Sequence, residues 1–481
     1  MNQSVKIFTF IVIFIFFLIF TSIPLWDPDF WWHINTGRYI LDHRALPDED
    51  PFTFTTMEGQ TLRKTGILKG YWLSQIILYL IYWAGGVSGV ILLRSFILIL
   101  SLLLIYHFFL RKADPYFRLF CIVLTGSIFI YFTGERPQTL IFPLVILMFA
   151  TLERHGHKGG KSILFLPFII FLWSNMHGSV LFAIGIIIIY ILATLVESFI
   201  KYPTKKDTRL FVVICLIAIL TYLILSPVGI KQIIGFYQFQ PSLLQRNSIE
   251  FASPIKAFLD YGQYLPYYWV SLIVIVSLII LAIKRLTIPT IMVMISTITL
   301  SLISARYMVF FILSTPLLFS QLNAGRDRIS LLLRWSVLTL SVIILTTLVT
   351  SYLHPFNFRI RSTYPIDTVE RLRDVEGLRI FTHLEWGGFV GYHIPGSKVF
   401  IDGRTLSEDI FVQYNAVIEG TEFKGQKEWE WILDRYMVNM VILPWRDLVT
   451  GMPLRIIKKL MVSKKWRVIF FNDNEVVFGR R

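Results

Sequence analysis

Residues 5–38 read VKIFTFIVIFIFFLIFTSIPLWDPDFWWHINTGR. An apolar run, Val5 to Ile23, passes directly into a segment of carboxylate, aromatic and imidazole groups. The run is too long, and too weakly charged in front, for an ordinary cleaved signal. No small-residue cleavage site precedes Trp26, so it reads as a retained first membrane helix. Composition extends that reading to the whole chain of 481 residues, of which 55% are hydrophobic and 16% charged. A soluble domain carries roughly 25% charged residues, so a polytopic membrane protein is implied. The net charge of +15 then belongs to loops that orient the chain, and not to nucleic-acid binding. Cys121 and Cys215 both lie in apolar runs, which argues against a disulfide scaffold or a Cys-rich metal site.

Ten further apolar runs follow: about Val87–Leu110, Phe117–Thr133, Pro137–Leu152, Ser162–Trp173, Val180–Val196, Leu210–Ser226, Tyr268–Ile283, Ile288–Ser304, Tyr307–Ser320 and Leu331–Tyr352. Eleven spans are therefore expected. Arg111, Lys112 and Arg118 share one loop, and Arg154, Lys158 and Lys161 the next but one. The alternation continues with Lys201, Lys205, Lys206 and Arg209, then Lys284 and Arg285, then Arg326, Arg328 and Arg334. Every second loop is basic, which predicts a cytoplasmic amino terminus and an extracytoplasmic carboxyl-terminal segment. The short run Leu73–Trp83, before Gly85-Gly86, would invert this pattern if it crossed. It is expected to lie on the outer surface or to be re-entrant, in a first outer loop from Pro24 to Gly86 with two short helices.

After Tyr352 polar residues return. Leu378–Phe381, Lys398–Ile401, Met440–Leu443, Trp466–Phe471 and Glu475–Phe478 read as strands, Asp367–Glu376 and Glu428–Tyr436 as helices. The expected architecture is an all-α membrane domain over residues 1–352 and a small extracytoplasmic α/β domain over 353–481.

Polar residues gather in the loops assigned to the outer side. Asp27 and Asp29 flank Pro28, which restricts Asp27 to extended backbone, where residues i and i+2 point the same way. Two carboxylates so placed either hold a divalent cation, or act as general base and positioning partner, or serve a helix-capping and turn role at the end of the span. Trp32, His33 and Arg38 adjoin them, His33 as an acceptor-side base or a packing residue. Arg136 and Arg306 offer guanidinium forks suited to phosphate, or snorkel at the interface. Glu135, Gln138, Asn175 and His177 lie in the same set of loops as candidate site-lining residues, and Arg94 is expected to pair with an outer-loop carboxylate. Glu250 lies in the other long outer loop, Ser226 to Pro266. Asp402-Gly403-Arg404 reads either as a ligand-facing loop or as a turn held by a salt bridge. Glu385-Trp386-Gly387-Gly388 reads as a strand-edge turn against the membrane domain, with Gly at positive φ.

At these residues the chain resembles the GT-C superfamily, multi-span glycosyltransferases that use polyprenyl-phosphate-linked sugars. Its members include protein mannosyltransferases, aminoarabinose transferases of lipid A and the catalytic subunit of oligosaccharyltransferase. Asp27-Pro28-Asp29 looks like the first-loop acidic motif, whose Asp serves as base or metal ligand. Ser248-Ile249-Glu250 looks like the short Glu motif of the oligosaccharyltransferase's long outer loop, and Arg306 is placed like the arginine near donor phosphate or acceptor. Nearly the whole chain resembles a large bacterial group of GT-C-like proteins, through Asp27–His33, Arg136-Pro137-Gln138, Trp173–Gly178, Glu385–Gly388 and Phe400–Arg404. A Trp-Trp-Asp-Tyr-Gly motif is absent, which argues against an Asn-x-Ser/Thr acceptor. The resemblance implies a glycosyltransferase of the bacterial cytoplasmic membrane, acting on its outer face by inverting displacement. The implied donor is a polyprenyl-phosphate-linked sugar, and the acceptor a polysaccharide, lipid or protein. It implies Asp27, Asp29, His33 and Glu250 as catalytic residues and Arg136 and Arg306 on the phosphate. Mg²⁺ or Mn²⁺ would be held by Asp27, Asp29 and Glu250. A lipid-binding ligase, flippase or transporter is the competing class.

Overall fold

The computed structural model describes residues 3–55, 62–111, 113–158, 161–199, 208–237, 251–262, 265–322, 331–353, 359–360, 363–423, 426–448 and 451–481. The chain divides into two compact units. One comprises Met1–Pro24, Val87–Ile233 and Gln245–Phe358. The other comprises Leu25–Gly86, Ile234–Leu244 and Arg359–Arg481. The first loop falls in the same unit as the carboxyl-terminal segment.

The first unit is helical. A helix occurs at each of the eleven predicted runs, from Gln3–Ser22 to Leu331–Tyr352. Among the described residues seven helices are long and apolar enough to cross a membrane. Ile7–Ser22, Lys161–Met176 and Ile288–Ile303 are shorter apolar helices, and Met308–Gln321 has 14 residues. Pro115–Phe129 and Met308–Gln321 are buried almost throughout and pack on each other, with Leu331–Tyr352 against the former and Ile288–Ile303 against the latter. Gly126 permits the first helix to close in, because a Cβ there would stand 2.4 Å from the Phe16 ring. Exposed Phe14, Phe96, Ile224, Ile280 and Leu281 give the unit an apolar exterior, as lipid requires.

The helix Trp72–Ile105 is broken at Gly86, whose φ of 56° and ψ of −149° only glycine adopts at little cost. The break falls where the Gly85-Gly86 pair predicts it. With Asp29–His43 and Leu62–Lys69, residues 72–85 make three helical segments in the first loop, one more than expected. The additional one arises because Asp29–His43 begins inside the Asp-Pro-Asp segment itself, with Pro28 at its N-cap.

The second unit is built on a mixed five-stranded sheet in the order β2-β1-β5-β7-β6. The strands are β1 (Arg379–Thr382), β2 (Lys398–Val399), β5 (Met440–Pro444), β6 (Trp466–Phe471) and β7 (Glu475–Arg480). A separate hairpin pairs β3 (Glu422–Phe423) with β4 (Gln426–Lys427). β1 is parallel to both β2 and β5, whereas β7 is antiparallel to β5 and β6. First-loop residues extend the outer edge. Val399 N donates to Phe52 O at 3.0 Å and Phe54 N to Val399 O at 3.2 Å, so Phe54 joins the buried core of the domain.

Helices Gly387–His393, Glu408–Glu419 and Arg455–Val462 add to the two expected from sequence. The first corrects one expectation. Gly387 has φ −54°, within a helix, and its lack of a side chain serves close approach: a Cβ would lie 2.2 Å from Ile401 O. Gly388 in turn seats against Trp32 N, 3.0 Å from where its Cβ would be. This brings Gly387–His393 onto the first-loop helix Asp29–His43. Trp31 anchors the contact, edge-on to Phe389 at 4.9 Å and to Tyr364 at 5.9 Å.

Candidate functional site

In the first unit, three loop residues from separate helix ends come under one another's influence. His177 follows the Leu166–Met176 helix and is 6% exposed. Its Nδ1 accepts the Ser179 N–H at 3.0 Å and lies 2.7 Å from Ser179 Oγ, which accepts from Trp173 Nε1 at 3.0 Å. Burial first, then the positive charges of Arg306 and Arg136, push the His177 pKa down to about 3. The imidazole is therefore neutral at physiological pH, with its proton on Nε2. Arg306 precedes Met308–Gln321 and lies over the Phe251 ring at 4.8 Å, while Arg136 is the N-cap of Pro137–Leu140. Both are partly exposed. The turn between Ser174 and Gly178 is pinned from a distant segment: Ser226 Oγ donates to Ser174 O at 3.2 Å and Gln232 Nε2 to Gly178 O at 2.8 Å.

The other predicted residues of this unit are packed more tightly. Asn175 is 1% exposed and donates to Phe171 O at 2.8 Å, and Gln138 is buried. Glu135 forms a buried ion pair with Arg94, the outer-loop carboxylate partner expected of that arginine. Arg94 also donates to Phe20 O at 2.7 Å, Ile23 O at 2.5 Å, Pro24 O at 3.4 Å and Thr133 O at 3.2 Å, tying two helix ends to its own helix. Glu135 therefore works as an internal counter-ion. Glu250 lies outside the described residues.

In the second unit, Asp27 is 1% exposed and its Oδ1 accepts the N–H of Asp29 at 3.0 Å, closing a turn around Pro28. Asp29 is partly exposed and Oδ1 accepts from Trp32 Nε1 at 3.0 Å. A Cβ on Gly403 would come within 2.5 Å of that same oxygen, so the Asp29 carboxylate rests on bare backbone. His33 is 3% exposed, stacks closely on Trp32, and faces Gln75 Nε2 at 3.3 Å through Nδ1. Arg38 lies over the Tyr392 ring at 5.2 Å and reaches Asn35 Oδ1 at 3.4 Å.

Asp402-Gly403-Arg404 resolves as the salt-bridged turn. Arg404 Nε contacts both Asp402 oxygens at 2.9 Å, Nη2 meets Oδ2 at 2.6 Å, and Nη1 meets Asp50 Oδ1 at 2.8 Å. All three side chains are buried. Burial pushes the Asp50 carboxyl up, but Arg404, the Thr53 hydroxyl and the Phe52 N–H outweigh it and hold it below the usual range. Asp50 is the member that sequence reading missed, because nothing in Pro47-Asp48-Glu49-Asp50 marks one carboxylate for burial.

Among the described residues no three His, Cys, Asp or Glu side chains group as a metal site. Asp27 and Asp29 fit such a role in donor chemistry, since Mg²⁺ takes one or two carboxylates and fills its remaining positions with water and phosphate oxygens.

Neither a protein-family model nor a curated protein matches the sequence. Solved structures do match in fold. The oligosaccharyltransferase AglB of Archaeoglobus fulgidus, in complex with an inhibitory peptide and a dolichol-phosphate, superposes with a TM-score of 0.61 at 12% identity, over 92% of this chain and 70% of that one. The same organism's oligosaccharyltransferase tethered to an acceptor peptide containing the NVT sequon gives 0.60 at 11%, over 91% and 69%. This chain has the GT-C fold. The GT-C fold accounts for the helical membrane unit with a mixed-sheet domain after it, and it meets the expectation drawn from the acidic first-loop motif.

Proposed function

We propose that the protein is an integral membrane glycosyltransferase that moves a sugar from a polyprenyl-phosphate-linked donor to an acceptor on the extracytoplasmic face of a bacterial cytoplasmic membrane. The alternation of basic loops supports a cytoplasmic amino terminus. The observation that carries the reading is the fold, shared over 92% of this chain with an oligosaccharyltransferase in complex with a dolichol-phosphate. Arg136 and Arg306 stand at helix ends of the first unit and are the cations assigned to that phosphate. The archaeal oligosaccharyltransferase of this fold binds a dolichol-phosphate, a ligand of the kind such arginines suit.

Roles follow from exposure. Asp29, partly exposed and oriented by Trp32, is the general base, and Asp27, buried and bonded to the Asp29 N–H, is its positioning partner. The acceptor hydroxyl gives its proton to Asp29 as its oxygen bonds to the anomeric carbon. The bond from that carbon to phosphate oxygen breaks on the opposite side, and the polyprenyl phosphate departs with the electron pair. Arg136 and Arg306 are the candidate cations for the polyprenyl phosphate. Inversion follows from the single displacement, and no covalent nucleophile is required. Mg²⁺ or Mn²⁺, if bound by Asp27 and Asp29, would supply electrostatic stabilisation of the leaving phosphate.

The test uses the purified protein in nanodiscs with radiolabelled polyprenyl-phosphate sugars and a membrane extract as acceptor. Asp29→Asn should lower transfer by about 10²–10⁴-fold, the usual worth of a general base, while polyprenyl phosphate still binds. Arg136→Gln and Arg306→Gln should weaken that binding. Full transfer by both Asp27→Asn and Asp29→Asn would refute the assignment and favour a lipid-binding ligase, flippase or transporter.

A further inference from the structure

Within the second unit the strand order places β1 between β2 and β5. The chain leaves β1 for β2 on one side and later returns to β5 on the other. In open sheets of this kind, ligands bind outside the carboxyl ends of parallel strands where the winding direction reverses. That point lies between the ends of β1 and β5, and His383 Nε2 joins the two ends by contact with Asp447 Oδ2 at 3.2 Å. A cavity of about 120 Å³ opens there. Glu385 and Trp386 line it from the end of β1, Leu448 from beyond β5, and Tyr364 from the preceding segment. Trp26 and Pro28 form the remaining wall, which sets the cavity directly beside the Asp27 to Asp29 turn.

Side-chain contacts tie the wall together. Tyr364 stacks on Phe389 at 4.8 Å and its hydroxyl donates to Trp26 O at 3.4 Å. His383 Nδ1 accepts the Glu385 N–H at 3.4 Å, which sets the turn that presents Glu385. One carboxylate and the Thr363 hydroxyl-bearing residue thus stand among three aromatic side chains. An amphipathic lining of this composition suits a polyhydroxylated ring, whose hydroxyls donate to the carboxylate while its C–H face covers an indole.

We infer that this cavity at the β1–β5 switch point is a carbohydrate subsite that holds one sugar ring of the acceptor. The inference rests on the proposed transferase reading for the word acceptor, and on the cavity alone for the sugar. It makes the acceptor a glycan or glycolipid, presenting its next hydroxyl toward the Asp29 segment.

The experiment uses the full-length protein in nanodiscs and four methyl glycosides, those of glucose, galactose, mannose and N-acetylglucosamine, read by saturation-transfer NMR. At least one glycoside should receive saturation. Glu385→Gln, which keeps the shape, and Leu448→Phe, which fills the space, should each weaken its binding by about tenfold, near 1.4 kcal/mol, with an unchanged unfolding midpoint. Absence of saturation across the panel overturns the inference. So does equal binding by both variants, or displacement of the glycoside by tetramethylammonium, which would make the cavity a cation cage. Glycoside binding without any polyprenyl-linked transfer would refute the transferase reading and leave the sugar subsite standing. Transfer without glycoside binding would do the reverse.

Discussion

Replacing Arg404 by Met tests the central polar cluster of the second unit most directly. The guanidinium supplies four contacts of 2.6 to 2.9 Å to two buried carboxylates, Asp402 and Asp50, and lies over the Phe52 ring at 5.1 Å. Met fills much of the volume and carries no charge, so Asp50 and Asp402 remain buried without compensation. Breaking a buried pair from one side costs about 3–5 kcal/mol. In a unit of this size each kcal/mol moves the melting midpoint by about 2–4 °C, so a fall of roughly 6–20 °C is expected. The assay is intrinsic tryptophan fluorescence during heating of the full-length protein in detergent, since Trp386, Trp429 and Trp466 lie in this unit. Adding Asp50→Asn and Asp402→Asn to the Met variant removes the stranded charges and should recover most of the loss. The wild-type Asp50 carboxyl is held below its usual range, so its contribution is present above about pH 4 and lost as pH falls through the depressed value. The Met variant should therefore lose less stability on acidification than the wild type. A midpoint unchanged by Arg404→Met, or a triple variant no better than the single one, would refute this account.

Arg94→Leu strands Glu135 and frees four carbonyls at helix ends, so a loss of about 3–5 kcal/mol is expected, measured as the detergent-resistant folded fraction; Glu135→Gln should partly restore it. Gly387→Ala drives a methyl group into Ile401 O, for about 1–3 kcal/mol of overpacking, whereas Gly85→Ala, with open space around it, should leave the melting midpoint unchanged. The His177 pKa of about 3 lies below the unfolded value near 6.5, so the unfolded chain binds more protons between them and stability falls as pH drops through that window. Comparing wild type with His177→Asn in chemical denaturation at pH 7 and pH 5 should show a shallower acid loss in the variant.

Membrane helices were legible because each is a local run whose apolar length exceeds anything a loop needs. The break at Gly86 was legible because a glycine pair ends an apolar stretch. In the carboxyl-terminal domain all five sheet strands stood out as β-branched or aromatic runs. Glu408–Glu419 was missed although Ser407 and Gly420 flank it as start and stop signals, and Arg455–Val462 because it buries only Ile456, Ile457 and Leu460. Least legible was the union of residues 25–86 with residues 359–481, since no local pattern encodes a partner hundreds of positions away. The candidate residues divided in the same way. Arg136, His177 and Arg306 stand at helix ends that topology brings together. The neighbours of Asp29, Gly403 foremost, are set by tertiary approach. Thr382-His383-Leu384-Glu385-Trp386, directly after a strand, was the available signal for the cavity at the sheet's carboxyl ends.

The hydrogen bond from Thr55 Oγ1 to Phe400 O, 2.5 Å long, spans 345 positions of sequence. A ribosome adding about 5–20 residues per second needs roughly 20–70 s to supply the second partner after the first has emerged. Throughout that interval the Asp-Pro-Asp turn still lacks the strand and the glycine surface that shape it. The acidic turn is therefore completed late, after the helices of the first unit have all been synthesised.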